Sequence, residues 1–165
     1  MSVVMPAADQ AVLARRAQIV ADLQAIVPGE GVIAGEREMR PYESDGLTAY
    51  KQLPMVVVLP ETTDQVSSVL RYCHDNGVRV VPRGAGTSLS GGALPLGDGI
   101  LLGMARFNRI REVDFANRVA VVEPGVTNLA ITQAVAHRGF YYAPDPSSQI
   151  ACKSATICAR RASTA

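Results

Sequence analysis

Residues 55–95 read MVVVLPETTDQVSSVLRYCHDNGVRVVPRGAGTSLSGGALP, and the way this stretch divides decides the fold. Met55 to Leu59 is an unbroken apolar, largely β-branched run, the composition of a buried strand. Pro60 ends it. Thr62, Thr63 and Asp64 then offer side-chain oxygens that cap a helix carrying Val66, Val69, Leu70 and Cys73 along one stripe. Gly77 is placed to stop that helix, and Val78 to Val81 reads as a second strand. Strand, helix, strand in this order predicts a parallel pair with a right-handed crossover. The remainder, Val81 to Pro95 (VPRGAGTSLSGGALP), sets four glycines between two prolines at the carboxyl end of the second strand. Open α/β sheets bind their ligands at that end.

Spacing decides between the phosphate-binding templates the glycines could serve. A Walker A loop needs a lysine followed by serine or threonine, and no lysine lies between Lys51 and Lys153. The dinucleotide fingerprint G-x-G-x-x-G needs glycine at its sixth position, where Leu89 stands. Gly91, Gly92 and Pro95 also argue against a long helix directly after the loop, so no helix dipole is on offer. What remains is a nest, in which glycines permit positive φ and main-chain amides converge on an anion, geometry suited to a diphosphate. Thr87, Ser88 and Ser90 can add hydroxyl donors, and Arg83 a charge or a partner for a nearby carboxylate. Composition alone leaves a second reading open, a turn-rich connection that binds nothing.

Outward from this unit the patterning is simpler. Asp9 to Val27 repeats apolar residues at three- and four-residue intervals, an amphipathic helix ended by Pro28 and Gly29. Residues 31–54 are weakly periodic and rich in turn formers, which predicts an irregular segment with one short helical turn lying across a surface. Short strands are expected at 100–102, near 110–113 and at 119–123, with tight turns between them, and a helix from Asn128 to His137 stopped by Gly139. The sum is an α+β arrangement in two linked lobes.

The chain has 165 residues, 48% of them hydrophobic, enough for one ordinary core or two small ones. Sixteen basic residues against 15 acidic give a net charge of +1, which supplies no electrostatic case for nucleic acid or an anionic membrane. No apolar run nears the ~20 residues that span a bilayer, and the N-terminus lacks the pattern of a secretory signal. Cys73, Cys152 and Cys158 have no C-x-x-C spacing, so free thiols in a reducing cytosol are expected and no metal site is assigned. His74 and His137 sit in late helix turns, where a cation favours the carboxyl end. Arg106 and Arg109 read as a solvated face.

Several motifs together, PYESDGLTAY from Pro41, MVVVLPETTDQVSSVLRYC, the glycine loop, MARFNRI, VEPGVTNLAI and YYAPDPSSQIAC, resemble the flavin-binding portion of the FAD-linked 2-hydroxyacid oxidoreductases. The resemblance is nearest to the FAD-binding subunit type of bacterial glycolate oxidases, with cytochrome-type D-lactate dehydrogenases related. Both fall in the vanillyl-alcohol oxidase class. It implies a PCMH-type FAD-binding domain of two α+β lobes, FAD as cofactor, and a small 2-hydroxy acid oxidised to a 2-oxo acid. Carried over by position, it implies cofactor contacts from Pro82, Arg83, Gly84, Ala85, Gly86, Thr87 and Ser88, and from Pro144, Asp145, Pro146, Ser147 and Ser148. Physically, Pro144 and Pro146 stiffen the backbone while Asp145, Ser147 and Ser148 offer polar groups, though APDPSS also reads as an ordinary turn. Tyr141 and Tyr142 read either as a flavin edge or as packing. Ser44 and Asp45 match the family segment with no chemical role legible from sequence.

The resemblance runs from about Pro41 to Cys152. Beyond it the family carries a second glycine- and asparagine-rich segment, S-I-G-G-N-I-C-A-E-N-A-G-G, where this chain reads KSATICARRASTA. The expected organisation is therefore a lead-in over 1–40, the N-terminal part of the FAD-binding domain over 41–152, and a divergent, disordered tail over 153–165. No catalytic residue is assigned, and the chain is expected to be a truncated portion, inactive alone. Expected partners are the other subunits of a glycolate oxidase-like complex, with a cytoplasmic location or a peripheral one at the inner membrane.

Overall fold

The structure, a computed structural model, describes residues 5–143, 150–151 and the backbone of 162–164. The helix expected over 9–27 is two: α1 (Gln10–Ala14) and α2 (Arg16–Ile26), separated at Arg15. Asp9 caps α1, its carboxylate accepting from the Ala11 amide. Arg16 locks α2 to the sheet by donating to the carbonyls of Met55 at 3.1 Å and Ala34 at 2.6 Å.

Residues 31–54 hold more structure than their weak periodicity signals. A 3-10 turn at Gly29–Gly31 leads into β1 (Val32–Ile33), α3 (Glu36–Met39) and a second 3-10 turn at Arg40–Tyr42. Strand β2 (Val56–Val58) follows, then α4 (Thr63–Asn76), whose first turn is capped by the Thr62 hydroxyl accepting from the Gln65 amide at 3.2 Å. Gly77, at φ +65°, ends α4 in the left-handed conformation. Strands β3 (Arg79–Arg83) and β4 (Gly99–Gly103) complete a sheet ordered β1-β2-β4-β3, with β1 antiparallel and the other three parallel.

β2 and β3 are thus parallel as expected but are not neighbours, because β4 lies between them. The physical reason is burial. β2, VVV, and β4, GILLG, are buried at every position and take the two interior places of the sheet, while β3, RVVPR, with its exposed positions and its proline, is left at the edge. Alternation along the strands then sorts two cores. Val56, Val58, Ile100 and Leu102 face α2 and α4, packing on Ile19, Leu23, Val27, Val69 and Cys73. Val57, Leu101 and Val81 face the other way onto Met39, with Ile33, Tyr42, Leu53 and Leu96 around them. The 31–54 segment is therefore the second cover of the sheet rather than a surface strap.

The second lobe is smaller. β5 (Ile110–Asp114) and β6 (Val119–Val122) form an antiparallel hairpin with a register shift between Ile110 and Glu112. Its turn is fixed by Asp114, whose carboxylate accepts from the Asn117 amide and side chain, and by Arg118 at φ +56°. α5 (Asn128–Val135) continues into a 3-10 turn at Ala136–Arg138 and stops at Gly139. β7 (Phe140–Tyr142) pairs antiparallel with β8 (Ala162–Thr164), the only part of the 153–165 tail among the described residues. Val126, Ile131 and Tyr142 make this lobe's own core, so the two-lobed α+β expectation matches.

Candidate functional site

The glycine loop leaves the carboxyl end of β3, an edge strand of the sheet, and runs from Gly84 to Asp98 without a helix. Pro82 is tolerated opposite Leu102 because β3 has only one neighbour, and a missing N–H on its open edge costs no ladder bond. Arg83, the last strand residue, is buried. Its side chain turns inward: Nη1 donates to the carbonyls of Ser44 at 2.8 Å, Tyr42 at 3.3 Å and Ala93 at 3.5 Å. The guanidinium lies 5.8 Å from the centre of the Tyr42 ring. Burial lowers its pKa from the ordinary guanidinium value, against the opposing influence of Asp45 and Tyr42, yet arginine stays charged at neutral pH. Arg83 is thus a peg that ties the start of the loop and Ala93 within it to the main chain at Tyr42 and Ser44.

Gly84, Ala85, Gly86, Thr87 and Ser88 are half-buried. Among the described residues, none of their five main-chain N–H groups finds an acceptor. Gly86 takes φ +73° and Gly91 φ +76°, turning the chain as only glycine does without strain. A Cβ on Gly86 would run into the Arg83 guanidinium, so the loop is wrapped on that side chain. Ser88 Oγ accepts from the Ser90 amide at 3.3 Å, and the Leu94 amide closes the far turn on the Gly91 carbonyl at 3.2 Å. A row of unspent amides above a buried cation fits an anionic group such as a diphosphate.

The part of the site that sequence reasoning left without a role is the 42–47 segment. Gly46 presses on the loop: a Cβ there would stand 2.8 Å from the Ser88 carbonyl oxygen and 2.9 Å from that of Thr87, both main-chain atoms. Asp45 beside it is 4% exposed, and its Oδ1 accepts from the Leu47 amide at 2.9 Å. The signal available was the PYESDG run itself, whose turn formers gave no hint that it folds against a loop forty residues away. Pro144, Asp145, Pro146, Ser147 and Ser148 lie outside the described residues, as do Cys152 and Cys158. Arg106 is not a free surface cation but pairs with Glu61 at 2.6 Å and donates to the Glu30 carbonyl. Arg109 and Arg111 both reach Glu123. Among the described residues no cluster of histidine, cysteine and carboxylate side chains could hold a metal.

Known proteins resemble this chain in sequence and in fold. Over 137 residues the chain is 54% identical to the glycolate oxidase subunit GlcD of Escherichia coli K12, covering 83% of this chain and 28% of that protein. It is 41% identical over 107 residues to the glycolate oxidase subunit GlcD of Bacillus subtilis, covering 65% and 23% respectively. The chain therefore spans between a fifth and a third of the length of these relatives. The crystal structure of p-cresol methylhydroxylase with substrate bound superposes with a TM-score of 0.75 over 91% of this chain and 30% of that one. At 21% identity this shows the fold, which is of the PCMH type. Residues 54–163 match the FAD binding domain family, a span that begins just before β2 and takes in the whole glycine loop. With two thirds of its length inside that match, the chain belongs to the family of FAD binding domains, and FAD is its cofactor.

Proposed function

We propose that this chain is the diphosphate-gripping portion of a flavoprotein that oxidises a 2-hydroxy acid of the glycolate or D-lactate kind to the 2-oxo acid. The observation that carries the reading is the run of five unspent amides at 84–88, held at the carboxyl end of a parallel sheet over the Arg83 charge. When bound, FAD supplies the acceptor for the hydride that leaves the α-carbon of such a substrate. The protein's share is position. The amides of Gly84 to Ser88 offset the diphosphate charge, Gly86 lets the loop wrap closely on Arg83, and Arg83 acts from beneath rather than by a direct fork. Pro82 shapes the entry, and Pro144, Asp145, Pro146, Ser147 and Ser148 run along the cofactor in this reading.

Both relatives carry the word subunit in their names, which supports partner chains for the complete protein. Among the described residues no helix is long and apolar enough to cross a membrane. The same naming favours a second reading, a FAD-capturing subunit that works only with another chain.

The test is an absorbance scan of the 165-residue chain after incubation with FAD and gel filtration, with flavin bands near about 450 nm as the readout. Retained flavin supports capture by this portion. Glycolate and D-lactate oxidation by the flavin-loaded chain, with and without added partner subunits, then separates the two readings. A folded, colourless protein overturns both and leaves a fragment that binds nothing.

A further inference from the structure

At the foot of the glycine loop sits a carboxyl group with one oxygen unspoken for. Asp45 is 4% exposed; Oδ1 accepts from the Leu47 amide, but Oδ2 is buried and accepts from nothing among the described residues. Arg83 exerts its field on this carboxyl, yet no ion pair joins them; Arg83 Nη1 donates instead to the carbonyls of Tyr42, Ser44 and Ala93. Asp45 also stands between two contacts with the loop region. The Ser44 carbonyl is bound by Arg83, and Gly46 lies against the carbonyls of Thr87 and Ser88. A buried acceptor without a donor costs stability, so its retention at this spot calls for a donor that arrives with the ligand.

Charge decides which part of the ligand that is. A carboxylate repels phosphate oxygens and can only accept hydrogen, so it does not serve the diphosphate that the loop amides suit. FAD carries hydroxyl and N–H donors on either side of its diphosphate. We propose that Asp45 Oδ2 accepts a hydrogen bond from a hydroxyl or N–H of bound FAD, so that the loop holds the diphosphate while Asp45 distinguishes the nucleotide from a bare phosphate anion. The inference rests on the proposed FAD capture and adds a residue to it.

The test compares FAD with inorganic pyrophosphate on the 165-residue chain and on Asp45→Asn. Asparagine keeps an oxygen for the Leu47 amide and replaces the second acceptor by a donor. The expected result is an increase of about 10-fold or more in the Kd for FAD, the usual weight of a hydrogen bond to a charged group, with the Kd for pyrophosphate unchanged or lower. Equal affinity of both proteins for FAD, or equal weakening for both ligands, overturns the assignment; the latter would mean that Asp45 acts only by shaping the loop. A readout on the unsubstituted chain guards against a variant that fails to fold: the carboxyl carbon-13 resonance of Asp45 moves on adding FAD and stays in place on adding pyrophosphate. An immobile resonance in a chain that retains flavin sinks the Asp45 assignment alone. A chain that retains no flavin sinks the FAD-capture reading and this one with it.

Discussion

Gly46 and Gly91 are both glycines of the site, and the structure gives them opposite reasons. At Gly46 the obstacle is space, since any Cβ would stand 2.8 Å and 2.9 Å from two carbonyl oxygens of the loop main chain, which cannot rotate away. At Gly91 the obstacle is conformation, φ +76° with open space around it. Gly46→Ala is therefore expected to destabilise by about 1–3 kcal/mol, the cost of overpacking, and to push the 87–88 segment outward so that FAD affinity falls with stability. Gly91→Ala should cost about 1 kcal/mol of backbone strain and leave FAD affinity within a factor of about 2. Thermal melts with a flavin titration check both; equal effects on binding would mean that the loop does not depend on its contact with the 42–47 segment. Arg83→Met removes the peg without changing the loop sequence. Three carbonyls then lose their shared donor, and a loss of about 2 kcal/mol is expected, with faster amide exchange at 84–93 as the specific sign.

At the scale of the element, β4 is the strand on which the larger lobe turns. Leu101 is fully buried between Val57 and Val81 on the face covered by Met39, so Leu101→Ala is expected to cost about 2–5 kcal/mol in urea denaturation. Arg118 offers a contrast in the β5-β6 turn. Its left-handed φ of +56° strains an ordinary side chain, and Arg118→Gly should stabilise by about 1 kcal/mol, seen as a higher Tm. These elements differ in how far sequence alone revealed them. α4 was legible from end to end because its signals are local: Thr62 at the cap, a stripe of apolar residues, Gly77 at the stop. The glycine loop was legible for the same reason, its positive φ values and lack of a following helix both following from residues within it. β1, α3 and the place of β4 between β2 and β3 were not legible, because pairing partners and sheet order depend on contacts far apart in the chain. Arg83 shows the same limit within the site. Its residue type announced a charge, but only the fold reveals that the charge is spent on the carbonyls of residues 42, 44 and 93.

For the molecule as a whole, Asp98 is the carboxylate that joins the first helix to the sheet of the larger lobe. It is 1% exposed, accepts from the Asp9 amide at 2.7 Å at the start of α1, and pairs with Arg79 at the start of β3, just where the long loop returns to β4. Burial works against its charge, but the Arg79 guanidinium and the Asp9 amide outweigh burial and leave the carboxyl below the usual carboxylate range. A group whose folded pKa lies below its unfolded value of about 3.9 contributes stability that is fully present above that value and lost as pH falls through the folded one. Three other carboxyls act in the same sense and window: Glu43, lowered first by Lys51; Asp114, by the Asn117 amide; and Glu123, by the Arg109 amide. The Tm is therefore expected to hold steady from pH 7 down to about 5 and to fall steeply below about 4. Asp98→Asn should lower the Tm at pH 7, since Arg79 loses its charged partner, while making the acid limb shallower, since one depressed carboxyl no longer titrates. Thermal melts from pH 7 to pH 2.5 on both proteins measure the two slopes. Parallel curves, displaced but equally steep, would show that Asp98 holds α1 and β3 together by its hydrogen bonds alone, with no contribution from its charge.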